Sequence, residues 1–482
     1  MAISESKSPI LIDLENPVLA GESNQLKGKM STFTLTMTVL AFTAPLVVVS
    51  GFAPFIIAAG GIASPVAFIL TTLLMLLFSI GFLTMAKHST RPRNFYLFIR
   101  EGLGSTVGLG AAFMSITAYL MLLIGTYALC GVSVSALLSS FGGPEIPWWI
   151  LSLIGWCIVS TVGYFQIDVS AKIMCLIMFV ELFLVLIFNA SVFSVGGKEG
   201  LSAIPFSFST FLEGNIAVAF LFAILAFIGF EATLLYRDEV KNPESTIPKA
   251  TYTAVVVIGI VYIVSTYALI TAYGSEALTV AANKPNEMFT DGMTLYVAHS
   301  VTQIAHLFVV TSILATLLSI HNAVTRYIYN LSKDNVLPAK FSAIHPKLNS
   351  PYIASLTVSA IAISALIPMY VLVADGATIY GKINGLGCVG IIVLMCLVSL
   401  SVLVWFFKEG YLKTRNYFVG VVAPLLSLLA LIITTFYIVQ NVELVLGGEV
   451  GENTHYLYIL VLSFVIGVIL AGYYKYKKIK FM

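Results

Sequence analysis

The sequence predicts an all-α membrane protein with twelve transmembrane helices. Of its 482 residues, 59% are hydrophobic and only 10% are charged, whereas a soluble domain carries about 25% charged residues. So few charges cannot cover the water-facing surface of a chain this long. The apolar stretches are continuous and run to about twenty residues, the length that a helix needs to cross a bilayer. A transmembrane β-barrel would show shorter segments of alternating polarity.

Hydropathy divides the chain into twelve apolar runs separated by polar loops. The predicted spans lie near residues 32–60, 62–86, 98–139, 147–165, 169–194, 214–236, 250–273, 301–330, 352–374, 383–407, 415–440 and 455–474. Spans 3 and 8 are longer than a bilayer is thick, so we expect them to tilt strongly or to protrude. Residues 286–300 predict a short extramembrane helix between spans 7 and 8.

The distribution of Lys and Arg predicts that both termini are cytoplasmic. With the N-terminus inside and twelve spans, all 25 Lys and Arg residues except Lys198, Lys284 and Lys382 fall in cytoplasmic segments. Cytoplasmic loops of membrane proteins carry such an excess. The pattern indicates a multi-pass protein of the cell (plasma or inner) membrane. Residues 1–30 and 475–482 are then cytoplasmic tails, and residues 195–213 are an extracellular loop.

Several classes of function lack support in the sequence. There is no nucleophile–base pair, metal-ligand cluster or phosphate-binding loop, so an enzyme is not indicated and no cofactor or metal is expected. The five cysteines lie in apolar runs without CxxC or zinc-ligand spacing, and the net charge of +2 does not point to nucleic acid. The loops are too short for the nucleotide-binding domain of an ATP-driven pump. The expected partners are the lipid bilayer and a small-molecule substrate.

Two spans carry helix-breaking residues near mid-membrane. Span 1 has two prolines and a glycine within residues 44–54, and span 6 has Gly229 and Glu231 within the apolar run 226–231. Opened backbone inside a bilayer is tolerated where it lines a cavity. Because the two spans are five helices apart, they would cross the membrane in opposite senses, as inverted repeats require, with a substrate site between them. Gly and Pro are also common in membrane helices for purely structural reasons, so the spacing alone leaves both interpretations open.

The loop after span 8 resembles that of a known transporter family. It reads R-x₆-K-D-x₃-P from Arg326 to Pro338 and then H-P-K from His345. The amino acid–polyamine–organocation (APC) permeases commonly have R-x₆-R-D-x₃-P followed by H-P-K at this place.

Span 6 and the loop that follows it are similar to the same family. They read F-x-G-x-E from Phe227, E-x-x-N-P from Glu239 and I-P-x-A from Ile247, as in many APC permeases. The first span, from Ala44 to Gly51, departs from the commonest family pattern. It resembles the branch that contains putrescine and amine importers and several amino acid permeases.

The resemblance implies a leucine-transporter (LeuT) fold with a 5+5 inverted repeat, residues 31–194 and 214–407, plus two peripheral helices in residues 408–474. It also implies alternating access, with the substrate held by the unwound parts of spans 1 and 6 and by faces of spans 3, 8 and 10. The predicted substrate-binding residues are Val48, Val49, Ser50, Gly51, Tyr119, Ala226, Phe227, Ile228, Gly229 and Phe230. Several family members have an aromatic gate residue where this chain has Leu225, and Phe222 or Phe227 is the candidate substitute.

Glu181 is the first candidate for ion coupling. It lies in span 5, about 14 Å along a helix from Lys172, and an ionisable residue at that depth indicates a function. By local alignment, proton-coupled APC relatives place there a lysine that substitutes for a bound sodium ion. Glu181 could therefore carry the coupling proton or balance the charge of a cationic substrate. As a neutral, protonated group it could also simply hydrogen-bond a neighbouring helix.

Glu231 and His321 are further candidates for coupling or gating. Glu231 matches the family glutamate and could sense protons, gate the pathway, or form a structural tie to a nearby Arg or Lys. His321 in span 8 is the histidine to test for proton coupling, although membrane histidines commonly bond between helices. Sodium is the less expected coupling ion. Four hydroxyls of span 8 could coordinate sodium together with carbonyls of span 1. They belong to Thr311, Ser312, Thr316 and Ser319.

The predicted function is therefore proton-driven import of an amino acid. Polyamine or amine import and amino acid exchange remain alternatives, because the sequence does not reveal which side chains face the substrate. An ion channel or a potassium carrier of related fold is the alternative from another class. A channel needs a filter motif or a polar stripe through the whole membrane, whereas two broken helices indicate one occluded site.

Overall fold

The computed structural model describes residues 30–88, 94–165, 171–346, 350–372, 375–410, 415–446 and 451–478. Within those ranges the regular structure is helical, and the one β-bridge joins Met30 to Val240. The predicted all-α fold is confirmed. Residues 1–29 and 479–482, which belong to the two predicted tails, lie outside the described residues.

Eleven helical segments in the described ranges are long and apolar enough to cross a membrane, and a shorter apolar one completes the twelve predicted spans. The shorter segment, Val218–Leu234, is span 6. In chain order the other spans are Thr32–Ala63, Pro65–Lys87, Ser105–Ser140, Trp148–Phe165, Cys175–Val195, Pro243–Asn283, His299–Lys333, Tyr352–Leu372, Gly376–Glu409, Phe418–Gln440 and Thr454–Tyr476.

The third predicted span contains a helix boundary that the prediction did not include. The structure divides it into a short helix, Phe95–Leu103, and span 3 proper, Ser105–Ser140. Gly104 separates them with a φ of 91°, a conformation that glycine adopts without steric cost. Span 3 still has 36 residues and is about 54 Å long, so it extends well beyond a hydrocarbon core of about 30 Å.

The helix of span 7 begins earlier than the sequence predicts, at Pro243 and not near residue 250. Proline is favourable in the first turn of a helix, because the N–H group that it lacks would be unpaired there anyway. The short helix predicted within residues 286–300 is present as Met288–Tyr296.

Hydrogen bonds between span ends define two ends of the bundle. At one end, Lys408 Nζ donates to Gly102 O (3.3 Å) and Lys475 Nζ donates to Thr106 Oγ1 (2.6 Å). We call this the basic end, because most of the Lys and Arg residues belong to it. At the opposite end, Gln303 Nε2 of span 8 donates to the carbonyl of Ser140 at 3.1 Å.

Burial varies widely among the spans. In span 3, 72% of the most apolar stretch is buried inside the protein, and in span 10 it is 67%. The corresponding shares are 33% in span 11, 28% in spans 4 and 9, and 17% in span 12. Burial therefore identifies spans 3 and 10 as central and span 12 as the most exposed, but it does not set spans 11 and 12 apart as a pair. The peripheral role of spans 11 and 12 and the exact repeat boundaries remain predictions.

Small residues allow the central helices to approach closely. A Cβ added to Gly387 of span 10 would lie 2.7 Å from the carbonyl of Ala118 in span 3, and one added to Gly467 of span 12 would lie 2.5 Å from the carbonyl of Leu109. Both distances are below van der Waals contact. Glycine at such crossings is the usual route to tight packing of membrane helices.

Gly467→Ala is expected to loosen span 12 from span 3, because the new methyl overlaps a backbone carbonyl that cannot move aside. Overpacking of this kind costs about 1–3 kcal/mol. Thermal unfolding in detergent should show a lower midpoint for this variant. Gly472→Ala, on the same helix with open space at its Cβ position, is the matched control and should unfold like the parent. Equal midpoints for both variants would contradict the packing described here.

Candidate functional site

Span 1 is broken at Ala44. A first helix, Thr32–Thr43, ends there with Ala44 in the left-handed region at a φ of 47°, and a new helix begins at Pro45. Proline excludes the helical conformation for the residue before it and has no N–H to donate. The break therefore lies at the start of the segment 44–54 in which the sequence places it.

The predicted binding residues of span 1 lie just beyond the break, in a helical turn. Residues Val48–Phe52 form a π-helix, in which the N–H of Ala53 donates to the carbonyl of Val48. Pro54 cannot donate to the carbonyl of Ser50, so a wider turn before it fits the sequence. Val48, Val49, Ser50 and Gly51 are thus wound into helix, and the open backbone lies N-terminal to them.

Span 6 is broken at the place that the sequence predicts. The helix Ile216–Leu225 gives way to turns at residues 226–229, and a 3₁₀ segment, Phe230–Glu239, follows. Gly229 has a φ of 115°. Tyr262 of span 7 donates its hydroxyl to the carbonyl of Ala226 at 3.2 Å, which satisfies part of the opened main chain.

A partly open cavity of about 90 Å³ lies between the two breaks. Residues of spans 1, 3, 6, 8 and 10 surround it, as the resemblance implies. The wall consists of Phe42, Thr43, Ala44, Val47, Val48, Phe52, Leu122, Thr126, Leu129, Leu225, Ile228, Ile313, Thr316, Ile320, Tyr380, Asn384 and Cys388. Its polar side chains are hydroxyls, one amide and one thiol, so the cavity is uncharged.

Of the predicted binding residues, Val48 and Ile228 line this cavity directly. The others lie beside it: Val49, Ser50 and Gly51 in the π-helical turn, Ala226, Phe227, Gly229 and Phe230 in and after the span 6 break, and Tyr119 beneath it on span 3. The sequence interpretation missed most of the wall on spans 3, 8 and 10. A signal exists at helical spacing, namely the stripes Leu122–Thr126–Leu129, Ile313–Thr316–Ile320 and Tyr380–Asn384–Cys388. Hydropathy alone does not show which face of a helix turns inward.

Glu231 joins span 6 to span 3. One carboxyl oxygen accepts the hydroxyl of Tyr119 at 2.7 Å, and the other accepts the N–H of Gly229 at 2.8 Å. Beside this pair lies a cavity of about 10 Å³, room for one water. Phe42 borders both this small cavity and the larger one. Glu231 and Tyr119 therefore lie between the larger cavity and the basic end.

Glu181 joins span 5 to span 8 behind the cavity wall. It is 1% exposed, and Ser312 donates its hydroxyl to the carboxyl at 3.0 Å. Ser312 is next to Ile313, a wall residue, but Glu181 is not on the wall. Two of the hydroxyls considered as sodium ligands bond their own helix, Thr311 to the carbonyl of Phe308 and Ser319 to that of Ala315.

His321 lies apart from the cavity, where spans 4, 8 and 9 meet. Its Nε2 is 2.9 Å from the hydroxyl of Ser355, and its Nδ1 has no hydrogen-bond partner. Gly163 of span 4 packs against the ring. This environment resembles a helix–helix contact more than a proton pathway from the cavity.

Aromatic pairs lie toward the opposite end. Phe52 and Tyr380 cover the cavity with ring centroids 6.3 Å apart in an edge-to-face arrangement. Phe222 stacks on Phe55 at 6.1 Å. Leu225, at the family's gate position, is itself a wall residue. In the described part of the chain, no group of three His, Cys, Asp or Glu residues is placed to hold a metal ion.

Gly229→Ala is expected to disrupt the break in span 6. An L-residue at a φ of 115° is strained by about 1–3 kcal/mol, and its methyl would overlap the ring of Phe42. The variant should unfold at a lower temperature than the parent in detergent. Gly51→Ala, with open space at the Cβ position, is the control in span 1 and should retain the parental midpoint. A stable Gly229→Ala protein would contradict the left-handed geometry of the break.

Comparison with known proteins identifies the family. Residues 34–482 match the amino acid permease family. The low-affinity putrescine importer PlaP of Escherichia coli (strain K12) is 24% identical over 356 residues, which are 71% of this chain and 75% of the importer. The lysine-specific permease LysP of Lactococcus lactis is 30% identical over 253 residues, 47% of this chain and 48% of LysP.

A third relative is similar over a shorter region. The branched-chain amino acid permease BcaP of Bacillus subtilis is 26% identical over 159 residues, 32% of this chain and 33% of BcaP. The relatives carry different solutes by name, and the family match extends over nearly the whole chain. With eleven long apolar helices and the shorter span 6 in its described ranges, this chain belongs to the amino acid permease family of the APC superfamily, a family of multi-pass membrane transporters and not of enzymes.

Proposed function

We propose that the chain is a secondary active transporter that imports an amino acid together with protons by alternating access. The substrate would occupy the cavity between spans 1 and 6. The observation that carries this proposal is the pairing of two mid-span breaks, at Ala44 and at residues 226–229, around one partly open cavity. The names of the relatives, which specify lysine, branched-chain amino acids and putrescine, support an amino acid or amine as solute.

Main-chain groups at the span 1 break suit the charged head of an amino acid. The first i→i−4 bond of the second half runs from the N–H of Val48 to the carbonyl of Ala44 (3.0 Å). The N–H groups of Leu46 and Val47 precede it, at the positive end of the helix dipole, which favours a carboxylate. The carbonyls that end the first half, such as that of Thr43, lie at a negative end and favour an ammonium group.

Two closures on either side of the cavity would alternate. The Tyr119–Glu231 hydrogen bond ties spans 3 and 6 on the side of the basic end, and the Phe52–Tyr380 contact lies toward the opposite end. In the proposed orientation the basic end faces the cytoplasm, as the excess of Lys and Arg indicates. Glu231 then belongs to the inner closure, where its protonation would influence opening.

Glu181 is the proposed carrier of the coupling proton. Its carboxyl is buried between spans 5 and 8 with a neutral partner, Ser312. Burial favours the uncharged form of a carboxyl group. A change in its protonation would alter the contact between span 5 and the wall-bearing span 8. Balancing a cationic substrate, the other functional role considered, lacks a direct contact with the cavity.

Amine import is the second candidate, because the similarity to the putrescine importer extends over 71% of the chain. Amino acid exchange uses the same site without a driving ion. A channel has less support: the closures on both sides interrupt the path, and the cavity wall offers no continuous polar stripe.

Purified full-length protein in proteoliposomes should accumulate an amino acid when the outside is made acidic, because inward proton flow drives the carrier. A screen of amino acids and polyamines, each with imposed proton or sodium gradients, measures this. Accumulation that requires sodium would remove the proton from the proposal. Sustained single-channel currents in planar bilayers would reject a carrier.

Glu181→Gln should abolish proton-driven accumulation while solute exchange continues at a similar rate. The amide still accepts the bond from Ser312 but cannot bind and release a proton. The measurement compares uptake under a pH gradient with counterflow in the same liposomes, and a loss of about tenfold or more in driven uptake is expected. Glu213→Gln, at an exposed position, is the control. Undiminished accumulation by the Glu181 variant would remove its coupling role.

Tyr119→Phe should open the inner closure more often. A hydrogen bond contributes about 0.5–1.5 kcal/mol, so the open population should rise roughly 2- to 13-fold. A cysteine introduced as Ala323→Cys, beside the small cavity, would report this by faster reaction with a membrane-impermeant thiol reagent in inside-out vesicles. Tyr473→Phe, 51% exposed on span 12, is the matched control. Identical labelling rates in the two backgrounds would show that the Tyr119 bond does not hold the closure.

A further inference from the structure

We infer that the substrate is a neutral α-amino acid with a compact apolar side chain, and that the wall from spans 3 and 10 selects it. This inference rests on the proposed function and narrows it. It excludes lysine and diamines as preferred solutes, although relatives of both kinds exist. Three properties of the cavity carry it: the absence of charge on its wall, its volume, and the internal pairing of its only amide.

The lack of charged side chains on the wall disfavours a substrate with a cationic side chain. Among the residues that the structure describes, the wall contains no carboxylate and no basic side chain. The zwitterionic head of an amino acid has main-chain partners at the breaks, but a second ammonium group would have no countercharge. Burying an unpaired charge away from water is costly. Lysine and putrescine both carry that additional ammonium group.

The two buried carboxyl groups near the cavity do not compensate for this. Both oxygens of Glu231 already accept hydrogen bonds, from Tyr119 and from Gly229, and the carboxyl borders the smaller cavity. Glu181 bonds Ser312 behind span 8. A cationic substrate in the larger cavity would have to displace an existing bond to reach either group.

The volume limits the size of the side chain. The cavity of about 90 Å³ compares with about 10–15 Å³ for one water on the same scale, so it has room for roughly six to nine water-sized groups. Amino acids from alanine to leucine and isoleucine have that number of non-hydrogen atoms. Phenylalanine and tryptophan exceed it clearly, whereas lysine exceeds it by one atom and is excluded mainly by its charge. Putrescine fits by size, and for it the charge argument decides.

Asn384 is the residue that we assign to specificity. Its Nδ2 donates to the hydroxyl of Thr126 at 3.2 Å, and its Oδ1 accepts the thiol of Cys388 at 3.4 Å. The amide is thereby engaged within the wall, which leaves Leu122 and Leu129 of span 3 as apolar contacts for a side chain. Aspartate has nearly the shape of asparagine, so one substitution would add a negative charge to the wall with little change in form.

Counterflow in proteoliposomes with the full chain tests the inference. Radiolabelled leucine should exchange, with unlabelled valine, isoleucine and alanine as competitors, while lysine and putrescine at about hundredfold excess should compete weakly. Asn384→Asp should raise competition by lysine by about tenfold or more and weaken that by leucine, because the new carboxylate pairs with an ammonium group. Asn441→Asp, the same change outside the cavity wall, should leave both unchanged.

A second variant tests the volume without altering charge. Leu129→Ala enlarges the cavity and should admit phenylalanine, which the parent rejects. Leu426→Ala, 48% exposed to lipid, is the control. Its specificity should stay parental.

The outcomes distinguish a wrong substrate class from a wrong proposed function. Preferential transport of lysine or putrescine by the parent chain would overturn the inference and leave the proposed carrier intact. Transport of phenylalanine by the parent as readily as leucine would overturn it as well. Failure of every amino acid and amine to exchange would overturn the proposed function itself. Because the parent chain supplies these results, they do not depend on the folding of any variant.

Discussion

The structure depends on one constraint, that the bilayer offers no hydrogen-bond partner to an opened backbone. Spans 1 and 6 nevertheless interrupt their helices near mid-membrane, at Ala44 and at residues 226–229. The molecule meets this constraint by surrounding both breaks with spans 3, 7, 8 and 10. Tyr262 provides one partner directly, through its bond to the carbonyl of Ala226. Ala44 and Ile228, which belong to the two breaks, line the cavity.

The buried carboxyl groups also obtain their hydrogen-bond partners from other spans. Glu181 and Glu231 each accept a hydrogen bond from a hydroxyl on another span, that of Ser312 and that of Tyr119 respectively. Neither carboxyl group has an ion pair with a basic side chain among the described residues. A neutral donor stabilises a carboxyl group without cancelling its response to protons, whereas an ion pair with Arg or Lys would hold it charged. Glu231 connects spans 3 and 6, which both line the cavity, and Glu181 connects span 5 to the wall-bearing span 8. In the proposed mechanism a change in protonation at either position would alter the shape of the cavity.

The cavity wall combines two kinds of surface. The breaks in spans 1 and 6 contribute main-chain groups, and the stripes on spans 3, 8 and 10 contribute side chains. In this chain the stripes are apolar with isolated hydroxyls, and Asn384 is the one amide among the described wall residues. In the proposed function the main chain would hold the part that all amino acids share, and the stripes would select the side chain.

Much of the architecture could be predicted from local sequence. Pro45 determines the break in span 1, since proline removes a donor and constrains Ala44 before it. Gly229 marks the break in span 6 for a similar reason, because only glycine tolerates that backbone angle freely. Uninterrupted apolar runs predicted the spans. The end of the short helix Phe95–Leu103 was not predicted. Gly104 lies where the sequence changes from polar to apolar, and hydropathy shows no boundary there.

Local sequence was therefore enough to predict the helical membrane fold, the number of spans and the location of the two breaks. These follow from composition, from the length of apolar runs and from the conformations that Pro and Gly impose on their own neighbours, whereas the family resemblance rests on the motifs in span 6 and in the loops after spans 6 and 8. The inward face of each helix became known from the packing of the spans against one another. That packing placed Tyr119 and Glu231 beneath the cavity, His321 away from it, and Tyr380, Asn384 and Cys388 on its wall. In lipid both the inward and the outward faces of a helix are apolar, so periodicity carries little information about orientation, and packing between distant spans has to supply it.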